Sequence, residues 1–105
     1  MTDRELLELA AKAASIDVEY LDKRGFEGRR DAPKAFYHRI GIHEWNPLTD
    51  DGDALRLAVK LSIFNGADFY KFRMHERIGN QGKDDCYATR RSIVRAAAEI
   101  GKSIP

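Results

Sequence analysis

Cysteine occurs once, at position 86, so the chain can close no disulfide within itself and nothing in it calls for an oxidising compartment. Long apolar runs are missing: no stretch approaches the roughly 20 residues that a membrane-spanning helix needs. The opening MTDRELLELAAKAAS is interrupted by Glu8 and Lys12 and has no positive leader before an unbroken apolar core, so a secretory leader is not expected. An excess of one charge is also lacking. The 18 basic and 17 acidic residues leave a net charge of +1, which removes the general attraction to polyanions of a strongly basic domain. There is no internal repeat, no low-complexity tract, no phosphate-binding glycine loop, no G-x-S-x-G elbow and no H-E-x-x-H pair. What remains is 105 residues, 43% hydrophobic and 33% charged, a balance that excludes global disorder. Such a chain buries roughly two thirds of its unfolded surface in a single compact domain. A soluble, cytoplasmic protein without a cofactor is the expectation.

Helix signals come first along the chain. Thr2 and Glu5 have the spacing of a capping box, in which each side chain satisfies a backbone amide of the other. Leu6, Leu9, Ala10 and Ala13 then recur at helical spacing, with Leu7 and Ala14 at the edge of the stripe. IDVEYL, 16–21, alternates and reads as a short strand. DKRGFEGRRDAPK, 22–34, has two glycines, a proline and many charges, and reads as a flexible charged loop. AFYHRIGIHEW, 35–45, reads as a strand with Phe36, His38, Ile40 and Ile42 on one face.

A second helix starts inside WNPLTDDGDALRLAVKL, 45–61. Pro47 biases Asn46 away from helical dihedrals, and Thr49 or Asp50 is a good N-cap. Asp50, Asp51 and Asp53 meet the positive end of the helix dipole, each contributing about 0.3–1 kcal/mol when exposed. The core stripe is read as Ala54, Leu55, Ala58 and Leu61 with Leu57 beside it, Arg56 and Lys60 facing solvent, and Trp45 and Leu48 packed at the base. SIFNGADFYKFRMHERIG, 62–79, reads as two strands or one hairpin turning at Asn65 and Gly66, with Tyr70, Phe72 and Met74 alternating with Lys71, Arg73 and His75. After a polar turn with capping aspartates at 80–85, a last helix from Cys86 to Ile100 has the stripe Cys86, Ile93, Val94, Ala97 and Ile100, stopped by Gly101. The expected fold is α+β: a small antiparallel sheet packed with three amphipathic helices, α/β/α sandwich-like, in the order helix, strands, helix, strands, helix.

The segments 1–14, 45–61 and ATRRSIVRAAAEIG, 88–101, somewhat under half of the chain, resemble small proteins encoded by tailed bacteriophages and prophages. They are similar to the phage ABA sandwich domain proteins, in which an ELLELAAKAA-like helix, a TDxxxALxLAxKL-like helix and an IxRAAxE-like helix recur in this order. The resemblance implies a sheet between helical layers and a phage context. It carries over no catalytic residue, since its motifs are helix cores and caps.

Candidate chemistry is sparse. A calcium loop spaces its acids at alternate positions with a distal glutamate, whereas DDGDALRLAVKL enters a helix at once, so capping accounts for the aspartates. His38, His43, His75 and Cys86 lack the spacing of a structural zinc site. Cys86 sits near a helix N-terminus, which favours a thiolate, but Asp84 and Asp85 oppose it, and a buried structural cysteine is expected. No enzyme is expected. Between Lys23 and His43 six basic residues stand against two acidic ones. The leading expectation is a non-catalytic phage or prophage accessory protein that binds a host or phage protein, with 22–34 suited to contacts. The alternative is nucleic-acid binding through the basic stretches 23–39 and 71–95, with Lys23, Arg24, Arg29, Arg30, Lys34, Arg39, Lys71 and Arg73 as contacts, joined by Arg90, Arg91 and Arg95. A self-associating structural piece is a third.

Overall fold

A computed structural model describes residues 1–21, 35–40, 43–79 and 84–105, with 77–79 as backbone alone. The charged loop expected at 22–34, the expected strand position Ile42 and residues 80–83 of the polar turn lie outside the described residues.

Helix α1, Asp3–Ala14, opens with the capping box foreseen for Thr2 and Glu5. The Thr2 backbone N–H, then its hydroxyl, hold the Glu5 carboxyl below the usual carboxylate range. The buried stripe is Leu6, Leu7, Ala10, Ala11 and Ala14, rotated slightly from the expected one, so Leu9 and Ala13 are half-buried. The helix closes at Ser15 in the left-handed region, φ 54°, where the Ile16 amide donates to the Ala11 carbonyl in a Schellman arrangement.

Strands β1, Val18–Leu21, β2, Ala35–His38, and β3, Glu44–Trp45, form an antiparallel sheet in that order. The one strand expected over 35–45 is therefore two, and Ile40, assigned to the shared face, sits exposed in the turn after β2. Tyr20, Phe36 and Trp45 are register partners, and their rings meet edge to face at 5.0 and 6.5 Å. This aromatic row joins the sheet to the main core, and Arg4 of α1 covers its outer end, 3.9 Å from the Tyr20 ring centroid.

Helix α2, Asp51–Leu61, is capped by Asp50, whose side chain accepts the Asp53 amide. Segment 62–79 corrects the expected hairpin: a 3-10 turn, Ile63–Asn65, leads into helix α3, Ala67–Gly79. Gly66 donates to the Ile63 carbonyl and closes the 3-10 turn instead of a hairpin. Phe69, Phe72 and Glu76 are the buried positions, at i, i+3 and i+7, while Tyr70 and Met74 are exposed. A helical period was present beneath the alternation. Helix α4, Asp85–Lys102, is capped by Asp84. Among the described residues the fold is α+β with four helices, in the order helix, strands, then three helices.

The helices gather around α4, which packs against α1, α2 and α3. Against α1 it runs parallel, with Arg91 paired to Asp3 and the Lys12 ammonium donating to the Ile104 carbonyl beyond the far end. Between these points Gly101 is buried within the helix and does not stop it, contrary to expectation. A methyl group on Gly101 would fall on the Leu9 carbonyl oxygen, with the carbonyl carbon at 2.8 Å, so only glycine permits this approach. Against α3, Arg91 and Arg95 converge on buried Glu76 at 3.4 and 2.7 Å, and Arg95 also lies over Phe72. Burial works against the Arg91 charge, but Asp3 and Glu76 outweigh it and hold the guanidinium above its ordinary value.

Helix propensity alone makes Gly101→Ala stabilising by roughly 0.8–1 kcal/mol. Overlap with the Leu9 backbone reverses the sign, and a loss of about 1–3 kcal/mol is expected. Thermal unfolding should show a fall of roughly 4–8 °C per kcal/mol. In the capping box, the lowered Glu5 carboxyl adds stability above the ordinary carboxylate range that is lost as pH falls through its own lower value; Glu5→Gln should remove this part of the acid dependence in denaturant titrations at different pH.

Candidate functional site

The start of α2 is built by its own acids. Asn46 accepts the Leu48 amide on its side chain, and its carbonyl accepts the amides of Thr49 and Asp50, which folds the entering chain over buried Pro47. Asp53 is buried and fully employed: one carboxylate oxygen takes the Asn46 amide at 2.9 Å and the other the Arg56 guanidinium at 2.7 Å. Asp51 pairs with Arg90 at 2.7 Å, and Arg90 also donates to the Leu48 carbonyl. Trp45 and Leu48 are buried at the base as expected. Among the described residues no group of three or more His, Cys, Asp or Glu side chains is placed to hold a metal ion.

The basic residues are dispersed. Lys23, Arg24, Arg29, Arg30 and Lys34 lie outside the described residues. Arg39 pairs with Asp17 at 2.7 Å and Glu19 at 3.4 Å, and Arg73 pairs with Asp85 at 3.1 Å. Lys71 is exposed, and on a helix it shares one side with His75, i and i+4, while Arg73 turns to the opposite side, so the three form no common face. Arg90, Arg91 and Arg95 each hold an acid of another helix.

Two concavities are lined by the described residues. A groove of about 560 Å³ runs past His38, His43, Trp45, Asp53, Arg56 and Lys60. Its Asp53 and Arg56 are paired with each other, and the two histidines are joined only through the backbone, His38 amide to His43 carbonyl at 2.8 Å. The second, about 260 Å³, lies between α2, the 3-10 turn and the first turns of α4. Its walls are mainly apolar: Ala54 and Leu55 from α2, Phe64 from the 3-10 turn, and Cys86, Thr89 and Ile93 from α4.

This second pocket opens beside uncovered apolar surface. Leu55, assigned to the core from sequence, is 56% exposed; Val59, one turn on, is 66% exposed, and Phe64 is 40% exposed. Ala54, Leu57 and Ala58 fill the buried face of α2 instead, which turns Leu55 and Val59 outward. Cys86 is exposed at the pocket wall, not buried as expected, because it falls in the first turn of α4 before that helix meets the core. Single exposed apolar residues are ordinary; here three lie together beside an apolar pocket.

No family model matches the sequence, and neither a curated protein nor a solved structure matches it. No helix among the described residues is long and apolar enough to cross a membrane.

Asp53→Ala should therefore act on stability, with a loss of about 1–3 kcal/mol from the unpaired Asn46 amide and Arg56. Melting of the unaltered protein with and without millimolar calcium or magnesium is the companion measurement. An unchanged midpoint is expected, and a rise removed by Asp53→Ala would revive the cation reading.

Proposed function

We propose that the protein is a non-catalytic binding module that docks another protein through the face formed by Leu55, Val59 and Phe64 and the pocket beside them. One observation carries this reading: a helix whose buried face is complete still presents branched aliphatic side chains to solvent at i and i+4, next to an apolar cavity. The resemblance of the three helical segments to phage ABA sandwich domain proteins suggests a phage or prophage accessory protein, whose partner would be a host or phage protein. The alternative, nucleic-acid binding, finds less support, since Arg39, Arg73, Arg90, Arg91 and Arg95 are all held in ion pairs.

The test is capture from a bacterial lysate with a photocrosslinker attached to Cys86, comparing the unaltered protein with Leu55→Asp/Val59→Asp. Both positions are exposed, so the variant should fold, with stability changed by no more than about 0.5 kcal/mol. A reproducible crosslinked protein that the variant loses is expected; no crosslinked partner, or one captured equally by the variant, would overturn the reading. In parallel, titration with DNA and RNA should show no salt-sensitive binding. Affinity falling steeply with salt and lost on joint substitution of Arg29, Arg30 and Lys34 would favour nucleic acid instead.

A further inference from the structure

The chemistry of the pocket goes further and, resting on the protein-binding reading above, specifies the partner. We infer that the pocket and the α2 ridge receive an amphipathic helical segment of a partner protein, with one bulky apolar anchor and lysine or arginine beside it.

Size argues for a side chain. Pockets for whole small molecules run roughly 300–1,000 Å³. This one, at about 260 Å³, is suited to a single large apolar group inserted from a larger body. Its shape argues for a helix. Leu55 and Val59 stand one turn apart along α2, so a partner helix laid beside them can set its anchor in the pocket and a second apolar residue, three or four positions on, against Val59.

Charge selects the flanks. Two carboxylates, Asp51 and Asp85, lie at the pocket, with side chains 73% and 87% exposed. Each already pairs with an arginine, but Arg90 and Arg73 are largely covered, with side chains 17% and 24% exposed. Arg90 is further held by the Leu48 carbonyl, so it cannot swing out without losing two bonds. Solvent at the mouth therefore meets carboxylate oxygens, and a carboxylate has about four acceptor sites, enough to take a second cation. A lysine or arginine on the incoming helix completes these acids, whereas a glutamate there faces two like charges.

Three helical peptides test this on the intact protein by fluorescence anisotropy. The first has leucines four residues apart flanked by lysines, the second replaces the lysines with glutamate, and the third replaces the leucines with alanine. The first should bind at least about tenfold more tightly than either control. Its binding should weaken with salt, fall several-fold with Asp85→Asn and vanish with Leu55→Asp. Amide and methyl NMR shifts should centre on Leu55, Phe64 and Thr89. Equal binding of the acidic peptide would overturn the basic-partner inference while leaving the apolar docking face intact. No peptide binding, alongside a lysate partner lost in Leu55→Asp/Val59→Asp, would overturn it likewise without touching the binding reading. Shifts elsewhere, dimerisation through the same residues in sedimentation, or occupancy only by a small apolar probe such as indole would also overturn it.

Discussion

Where α4 meets α1, Gly101 lies against the Leu9 carbonyl, and two parallel helices approach backbone to backbone. Parallel dipoles bring these helices no mutual benefit, so close packing must hold them. Both supply small residues for it: Ala10, Ala11 and Ala14 on α1, and Ala97 and Ala98 beside Gly101 on α4. The charged ties, Arg91 to Asp3 and Lys12 to the Ile104 carbonyl, sit toward the ends, where they fix the axial register at little desolvation cost. With α1 drawn in so tightly, α4 has circumference left for two further helices.

Those two helices are attached by different means, and the difference leaves the candidate site open. Helix α3 is bound through buried Glu76, gripped by Arg91 and Arg95, with Phe69 and Phe72 in the core. A buried acid with two arginines is specific in geometry, since removing one partner strands the others. Helix α2 is bound by the small, fully buried set Ala54, Leu57 and Ala58, while Arg90 clasps its N-terminal turn. That set completes the inner face of α2 and leaves Leu55 and Val59 without a partner within the described residues. The pocket lies beside this face, lined by residues of α2, the 3-10 turn and the first turns of α4.

Much of the helical framework was legible in the sequence because caps are local chemistry. Thr2 with Glu5, Asp50 and Asp84 each satisfy amides within three residues, and such bonds survive any tertiary context. Segment 62–79 was misread because Phe69, Phe72 and Glu76 carry the helical period, and a buried glutamate does not look like a core residue until its arginines are in place. Gly101 looked like a stop signal because the same residue type serves helix ends and close approaches, and only the position of Leu9 separates the two. The site was hidden for a related reason. Leu55 fits an apolar stripe as well as Leu57 does, and which of them faces inward depends on where α4 lies. The basic residues were visible, but their engagement by acids on other elements was not.

Among the described residues, gathering α1, α2 and α3 around α4 leaves Leu55 and Val59 on the outer face of α2 exposed. The most direct measurement is NMR of the isolated protein with a soluble paramagnetic agent, comparing relaxation of side-chain signals. Leu55, Val59 and Phe64 should relax as fast as open surface groups, while Leu57 and Ala58 stay shielded. If Leu55 and Val59 were as shielded as Leu57, the face would already be covered by the chain itself or a second copy, and no partner surface would exist there.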